Sequence, residues 1–129
     1  SQTYRVTYRM VNTLKSSQVS SLPEYIRGVA SAKHPGYGIE KTLIYTPAGG
    51  SISELTISGT HTNPQGTTMN GKKLYASNIT LAPGASSTIS FTVTTSTKAT
   101  SDLTIDQTPM GWAESGVTSE TSACTIGSK

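Results

Sequence analysis

The chain is 129 residues long, 33% hydrophobic and 13% charged, with a formal net charge of +3. That length suits one domain with a core of its own. The single cysteine, Cys124, excludes an intrachain disulfide framework. The ten basic residues are spread from Arg5 to Lys129 without clustering on a stripe or threading with aromatics, so no nucleic-acid partner is expected. Serine and threonine number 19 and 22, close to a third of the chain. Threonine suits strands through its branched Cβ, and serine suits turns through its hydroxyl, so the composition points to an all-β domain.

Tyr4 to Met10 alternates, with Tyr4, Val6, Tyr8 and Met10 on one face and Arg5, Thr7 and Arg9 on the other. The strand is expected to run on through Leu14. A polar connection over 15–21 leads to Leu22-Pro23-Glu24-Tyr25-Ile26, a short helical turn with Ser21 as its cap. Residues 28–38 form a long loop containing His34 and Tyr37. A strand from Glu40 to Thr46 meets Pro47-Ala48-Gly49-Gly50, a hairpin-like turn, and 51–58 returns. Within that return Ile52 and Leu55 are out of phase for period-two alternation, which predicts a bulge near Ser53-Glu54. A second loop spans 59–71, where Asn70-Gly71 suits a type I′ turn.

Short strands follow over 72–77 and 79–81, and then the most regular stretch of the chain. Leu81-Ala82-Pro83-Gly84 makes a corner, and Ile89, Phe91 and Val93 alternate with Thr88, Ser90, Thr92 and Thr94. This reads as one edge of an antiparallel sandwich. A last strand is expected over 102–106. Seven strands or so, separated by turn signals, predict an immunoglobulin-like β-sandwich over residues 1–110. Its core should hold Val6, Tyr8, Met10, Tyr45, Ile57, Leu81, Ile89, Phe91, Val93, Leu103 and Ile105. Residues 111–129 form a Ser/Thr-rich tail expected to be flexible. The chain starts at Ser1-Gln2-Thr3, directly ahead of a strand, and reads as a piece of a longer protein that carries the localisation signals elsewhere.

No constellation for catalysis or cofactor binding is legible. His34 and His61 lack the close-paired spacing of zinc ligands. No acidic loop suits calcium, and no GxSxG elbow is present. The seven carboxylates are scattered, as solvated sandwich carboxylates are, without the facing pair of a glycosidase. An intramolecular Lys–Asn isopeptide would need an inward lysine on an early strand, where this chain has outward Arg5 and Arg9. Cys124 has no His or acid beside it in sequence. Exposed aromatics are the remaining signal: a carbohydrate platform would draw on Tyr25, Tyr37 and Trp112, with Tyr75 as a further candidate. Asn78-Ile79-Thr80 matches the N-glycosylation triplet, which has meaning only in a eukaryotic secretory pathway.

Six segments in this order form a pattern: Tyr4-Arg5-Val6-Thr7-Tyr8; Asn12-Thr13-Leu14; Leu22-Pro23-Glu24-Tyr25-Ile26-Arg27-Gly28; Tyr45-Thr46-Pro47-Ala48-Gly49-Gly50; Leu81-Ala82-Pro83-Gly84; and Leu103 through Thr108-Pro109. The pattern resembles the C-terminal region of a family of large, membrane-anchored actinobacterial cell-surface proteins built on a domain of unknown function. It covers residues 4–110. Leu-Pro-Glu-Tyr and Pro-Ala-Gly-Gly are its more specific parts, whereas the Leu-Ala-Pro-Gly turn recurs in many bacterial immunoglobulin-like modules. The resemblance implies an extracytoplasmic, non-catalytic accessory sandwich and carries over no active-site residues. The expected role is therefore a structural or protein-interaction module of a cell-surface protein. Its partners would be other domains of the parent, a surface protein or cell-wall polymer, with no membrane contact of its own and no cofactor. The alternative is a cell-wall or carbohydrate-binding module using Tyr25, Tyr37 and Trp112.

Overall fold

The structure is a computed structural model that describes residues 1–28, 33–101 and 103–104. It is an all-β sandwich of two antiparallel sheets. Among the described residues there are seven strands: β1 (Thr3–Val11), β2 (Gly38–Tyr45), β3 (Ser51–Ile57), β4 (Thr60–His61), β5 (Gln65–Met69), β6 (Lys72–Leu81) and β7 (Ser86–Thr94). The first sheet has the order β1-β7-β3; in the second, β2 and β4 flank β6, which also pairs with β5. The polar connection after β1 coils into a 3-10 helix, Ser16–Ser21, held at its start by the Lys15 amide donating to Gln18 Oε1 (3.1 Å). Helix α1 is the single turn Glu24–Arg27. Its expected cap is not used: Ser21 Oγ donates to the Gln18 carbonyl instead (2.8 Å), and Pro23 precedes the turn without a side-chain bond.

The regular stretch 79–94 is not a sheet edge. Its two strands are the central members of different sheets, and the Ala82-Pro83-Gly84-Ala85 corner carries the chain from one layer to the other. β7 is flanked on both sides, by Tyr4↔Val93 through Met10↔Ser87 and by Ile52↔Val93 to Ile57↔Ile89. Pro47-Ala48-Gly49-Gly50 does the same in the other direction. It closes a turn (Gly50 amide to the Pro47 carbonyl, 2.9 Å), yet β2 and β3 lie in opposite sheets, so it is no hairpin. The chain passes so close there that a Cβ on Gly50 would lie 2.6 Å from the Thr94 carbonyl oxygen.

The predicted bulge is present. The register of β3 against β7 shifts between Ser53 and Thr56, and Glu54 takes a φ of 53°. One extra residue on β3 is what lets Ile52, Leu55 and Ile57 all turn toward the core. The Asn70-Gly71 turn is also as the dipeptide predicts: it joins Met69 to its register partner Lys72, with φ of 50° and 72° at its two central residues. The expected loop 59–71 therefore holds two strands, β4 and β5.

Between the layers lie Ile79 and Leu81 from β6 against Ile89, Phe91 and Val93 from β7, with Val6, Met10, Ile44, Ile52, Leu55, Ile57 and Leu103 packed around them. Two expected core residues are outside it. Tyr45 is 48% exposed because the β2–β6 register puts Ile44, opposite Tyr75, on the face shared with Ile79 and Leu81, and so turns Tyr45 outward. Tyr8 has the inward parity, opposite Ile89, but β1 is the edge of its sheet and the ring remains 38% exposed. Ile105 and the tail 111–129 lie outside the described residues, as do Asp102 and Asp106 of the expected last strand; Leu103 and Thr104 are irregular. Among the described residues the four buried hydroxyls are all hydrogen-bonded. Thr46, Ser77 and Ser87 donate to the carbonyls of Lys73, Thr62 and Ser58 at 2.8, 2.6 and 2.7 Å, and Thr95 Oγ1 accepts from the Gln2 amide at 2.9 Å.

Candidate functional site

The two outward faces of the sandwich differ in chemistry. On the β1-β7-β3 sheet, alternate residues of each strand line up across the register as Thr3–Thr94–Ser51, Arg5–Thr92–Ser53 and Thr7–Ser90–Thr56. This face is hydroxyl-rich and charged. Glu54 Oε2 accepts from Thr92 Oγ1 (2.7 Å) and from Arg5 Nη1 (3.2 Å), an ion pair that stays in solvent. Arg5 and Arg9 are both exposed, as expected for outward positions on β1.

The other outward face is mixed: Lys41, Gln65, Thr67, Lys72, Asn78 and Thr80 share it with an apolar patch. Along β2, Ile39, Leu43 and Tyr45 point outward at 72%, 42% and 48% exposure, interrupted by Lys41. Met69 on β5 is also exposed, and the Tyr45 hydroxyl reaches its sulfur at 3.6 Å across the sheet. Beneath them sits Leu74, the register partner of both Tyr45 and Thr67, with 1% of its surface accessible. By parity Leu74 lies on the side of β6 opposite Ile79 and Leu81, outside the interlayer core. Leu74 with the half-exposed Leu43, Tyr45 and Met69 makes a small apolar patch bordered by Thr67 and Lys72, and exposed apolar surface of this kind marks contact sites on soluble domains. The parity of 38–45 carries the signal for it in sequence, because Ile39, Leu43 and Tyr45 form one apolar row while Ile44 supplies the other face.

The loop end of the sandwich holds the predicted aromatics. Tyr25 on α1 is 86% exposed and Tyr37 is 42% exposed. The Gly36 amide donates to the Arg27 carbonyl (2.7 Å), which fastens the 33–37 segment to α1. Tyr37 also lies against His34, with ring centroids 4.8 Å apart and planes tilted by 36°. Trp112 lies outside the described residues. Tyr75 has the parity of Ile44 on the inward face of its sheet, with Gly66 of β5 beside its ring, and does not belong to this group.

Asn12 organises this end. β1 stops at Val11 rather than continuing to Leu14, and the Asn12 side chain ties three segments together. Its Nδ2 donates to the carbonyls of Gly36 (2.9 Å) and Leu81 (3.1 Å), and its Oδ1 accepts from the Leu14 amide (3.2 Å). Its backbone exchanges bonds with the corner, to the Ala85 carbonyl and from the Gly84 amide, both at 2.9 Å.

Among the described residues no group of three or more His, Cys, Asp or Glu comes together to hold a metal ion, and no helix is long and apolar enough to cross a membrane. His61 is turned into a local bond between its Nδ1 and the Gly59 carbonyl (2.8 Å). Cys124 lies outside the described residues. The Asn78 side chain of the glycosylation triplet is exposed on β6. No protein-family model, curated protein or solved structure matches the chain.

Proposed function

We propose that this domain is a non-catalytic structural and protein-interaction module of a bacterial cell-surface protein. Its setting would be that of the membrane-anchored actinobacterial surface proteins its motifs resemble, outside the cytoplasm and alongside other domains of a larger parent chain. The observation that carries the reading is the contrast between the two outward faces. One is covered by hydroxyls and charges, and the other, beside Lys41, Thr67 and Lys72, presents Leu43, Tyr45 and Met69 to solvent around the buried Leu74, with Ile39 farther along β2. A spacer with no partner would gain solubility from polar groups on both faces, so the apolar patch is best explained by a protein surface laid against it.

The exposed Tyr25, with Tyr37 beside His34 at the loop end, favours a second reading, in which the module binds cell-wall polymer or another carbohydrate. Titration of the labelled domain onto protein-stripped Gram-positive cell walls separates the two. The interaction-module reading expects no saturable binding at high salt. Binding that saturates, survives high salt and disappears in Tyr37→Ala would replace it with the carbohydrate-binding one. Binding lost as salt rises reports the +3 net charge and leaves the interaction-module reading standing.

A further inference from the structure

We propose that the edge of β2, open among the described residues, pairs antiparallel with β2 of a second copy of this chain, joining two second sheets into one continuous sheet. The proposal goes beyond the interaction-module reading: edge pairing lengthens the sheet and leaves its outward face free for another protein surface. The sandwich has other edges, and each carries a feature that discourages pairing. β1 bears the exposed Arg5 and Arg9, so two copies would bring four guanidinium groups together. β3 is broken by the bulge at Glu54. β4 is two residues long, and β5 is a five-residue strand containing Gly66. β2 is longer than β4 and β5, has no bulge, and its two charges, Glu40 and Lys41, are of opposite sign. It runs eight residues in unbroken register with β6 and contains no proline.

Its backbone is also poised for pairing. The Thr46 amide donates to the Lys73 carbonyl (3.0 Å), continuing the β2–β6 register by one step. In an antiparallel ladder both polar groups of a residue point the same way and alternate along the strand. Glu40, Thr42 and Ile44 therefore direct their N–H and C=O groups into β6. Ile39, Lys41, Leu43 and Tyr45 direct theirs to the open edge, and Ile39, Leu43 and Tyr45 form the exposed apolar row.

A chain that completes this edge needs free backbone groups and apolar side chains at alternate positions. β2 itself is such a chain. Charge and proline select the register. Setting Lys41 or Glu40 opposite its own copy opposes like charges directly. Centring on Leu43 sets Ile39 against Pro47, which has no N–H to give. Centring on Thr42 sets Ile39 opposite Tyr45 and Lys41 opposite Leu43 of the second copy, on both sides of the two-fold. Glu40 then faces Ile44, and the open groups of all four residues are used, about eight hydrogen bonds in total. The area covered by one strand pair falls short of the ~1,200 Å² typical of stable complexes, so the dimer is concentration-dependent rather than permanent.

Sedimentation of the domain from low micromolar to near-millimolar concentration tests this, together with amide hydrogen exchange at both ends of that range. The expected result is a reversible monomer–dimer equilibrium in which the amides of Ile39, Lys41, Leu43 and Tyr45 gain protection on concentration. Leu43→Lys sets lysines opposite each other on both sides of the two-fold and should weaken association roughly tenfold. Lys41→Pro removes one edge N–H without touching a β2–β6 bond and should weaken it comparably, with the melting temperature reporting that the fold is kept. A domain that stays monomeric throughout with those four amides unprotected overturns the dimer, and so does a dimer indifferent to both substitutions. Neither result bears on the interaction-module reading, which falls to the cell-wall titration instead.

Discussion

Asn12→Ala deletes three side-chain hydrogen bonds at once and leaves the Gly36 and Leu81 carbonyls without that donor. The site is partly buried, so water replaces the amide only in part. At about 1 kcal/mol net per bond, with a surcharge for stranded acceptors, the loss is about 2–4 kcal/mol. For a domain of this size that lowers the melting temperature by about 8–16 °C. Far-UV circular dichroism melts and urea titrations would measure it, with an unchanged urea slope showing that the folded state remains as compact. Asn12→Asp sharpens the test. It keeps an oxygen for the Leu14 amide but turns a carboxylate oxygen toward two carbonyl oxygens, so at neutral pH it should be destabilised at least as much as the alanine variant. A loss under about 0.5 kcal/mol for Asn12→Ala, or an Asp variant as stable as wild type, would refute the view that this side chain holds the corner, the first strand and the 33–37 segment together.

Two glycine substitutions should destabilise for different reasons, and a second residue at each position tells them apart. Gly50→Ala places a Cβ against the Thr94 carbonyl and the Pro47 ring, at 2.6 and 2.9 Å, so it should cost about 1–3 kcal/mol in urea unfolding, and Gly50→Asn more. Gly71→Ala meets nothing within 4 Å but must hold φ near 72°, so it should cost about 1 kcal/mol, with Gly71→Asn recovering part of that because asparagine tolerates the left-handed region.

Local chemistry was legible along the chain. The phase break between Ile52 and Leu55 announced the bulge, Asn70-Gly71 announced its turn, and the alternation of Ile89, Phe91 and Val93 announced a strand with one buried face. The exposure of Tyr25 and Tyr37 was likewise readable from their place in a helical turn and a Gly/Pro-rich loop. The outward placement of the β2 row was not legible, because Ile39, Leu43 and Tyr45 are more apolar than Glu40, Thr42 and Ile44, so alternation alone predicts that row as the buried one. Leu74 was missed for a related reason: it lies on the face of β6 opposite Ile79 and Leu81, where alternation read from the core side predicts exposure.

By itself the sequence determined the all-β class, the strand-by-strand alternation and the turn chemistry, since these depend on contacts within a few residues. Tertiary structure decided which layer each strand joins. Pro83-Gly84 and Pro47-Ala48-Gly49-Gly50 are good turns whether the chain doubles back in one sheet or crosses to the other. The choice is made by pairing with strands far away in sequence, Thr3 with Thr94 and Ser51 with Thr94. Those pairings put β6 and β7 at the centres of opposite sheets, turned Ile44 rather than Tyr45 inward, and left β2 as an edge, open among the described residues, with an apolar patch beside it.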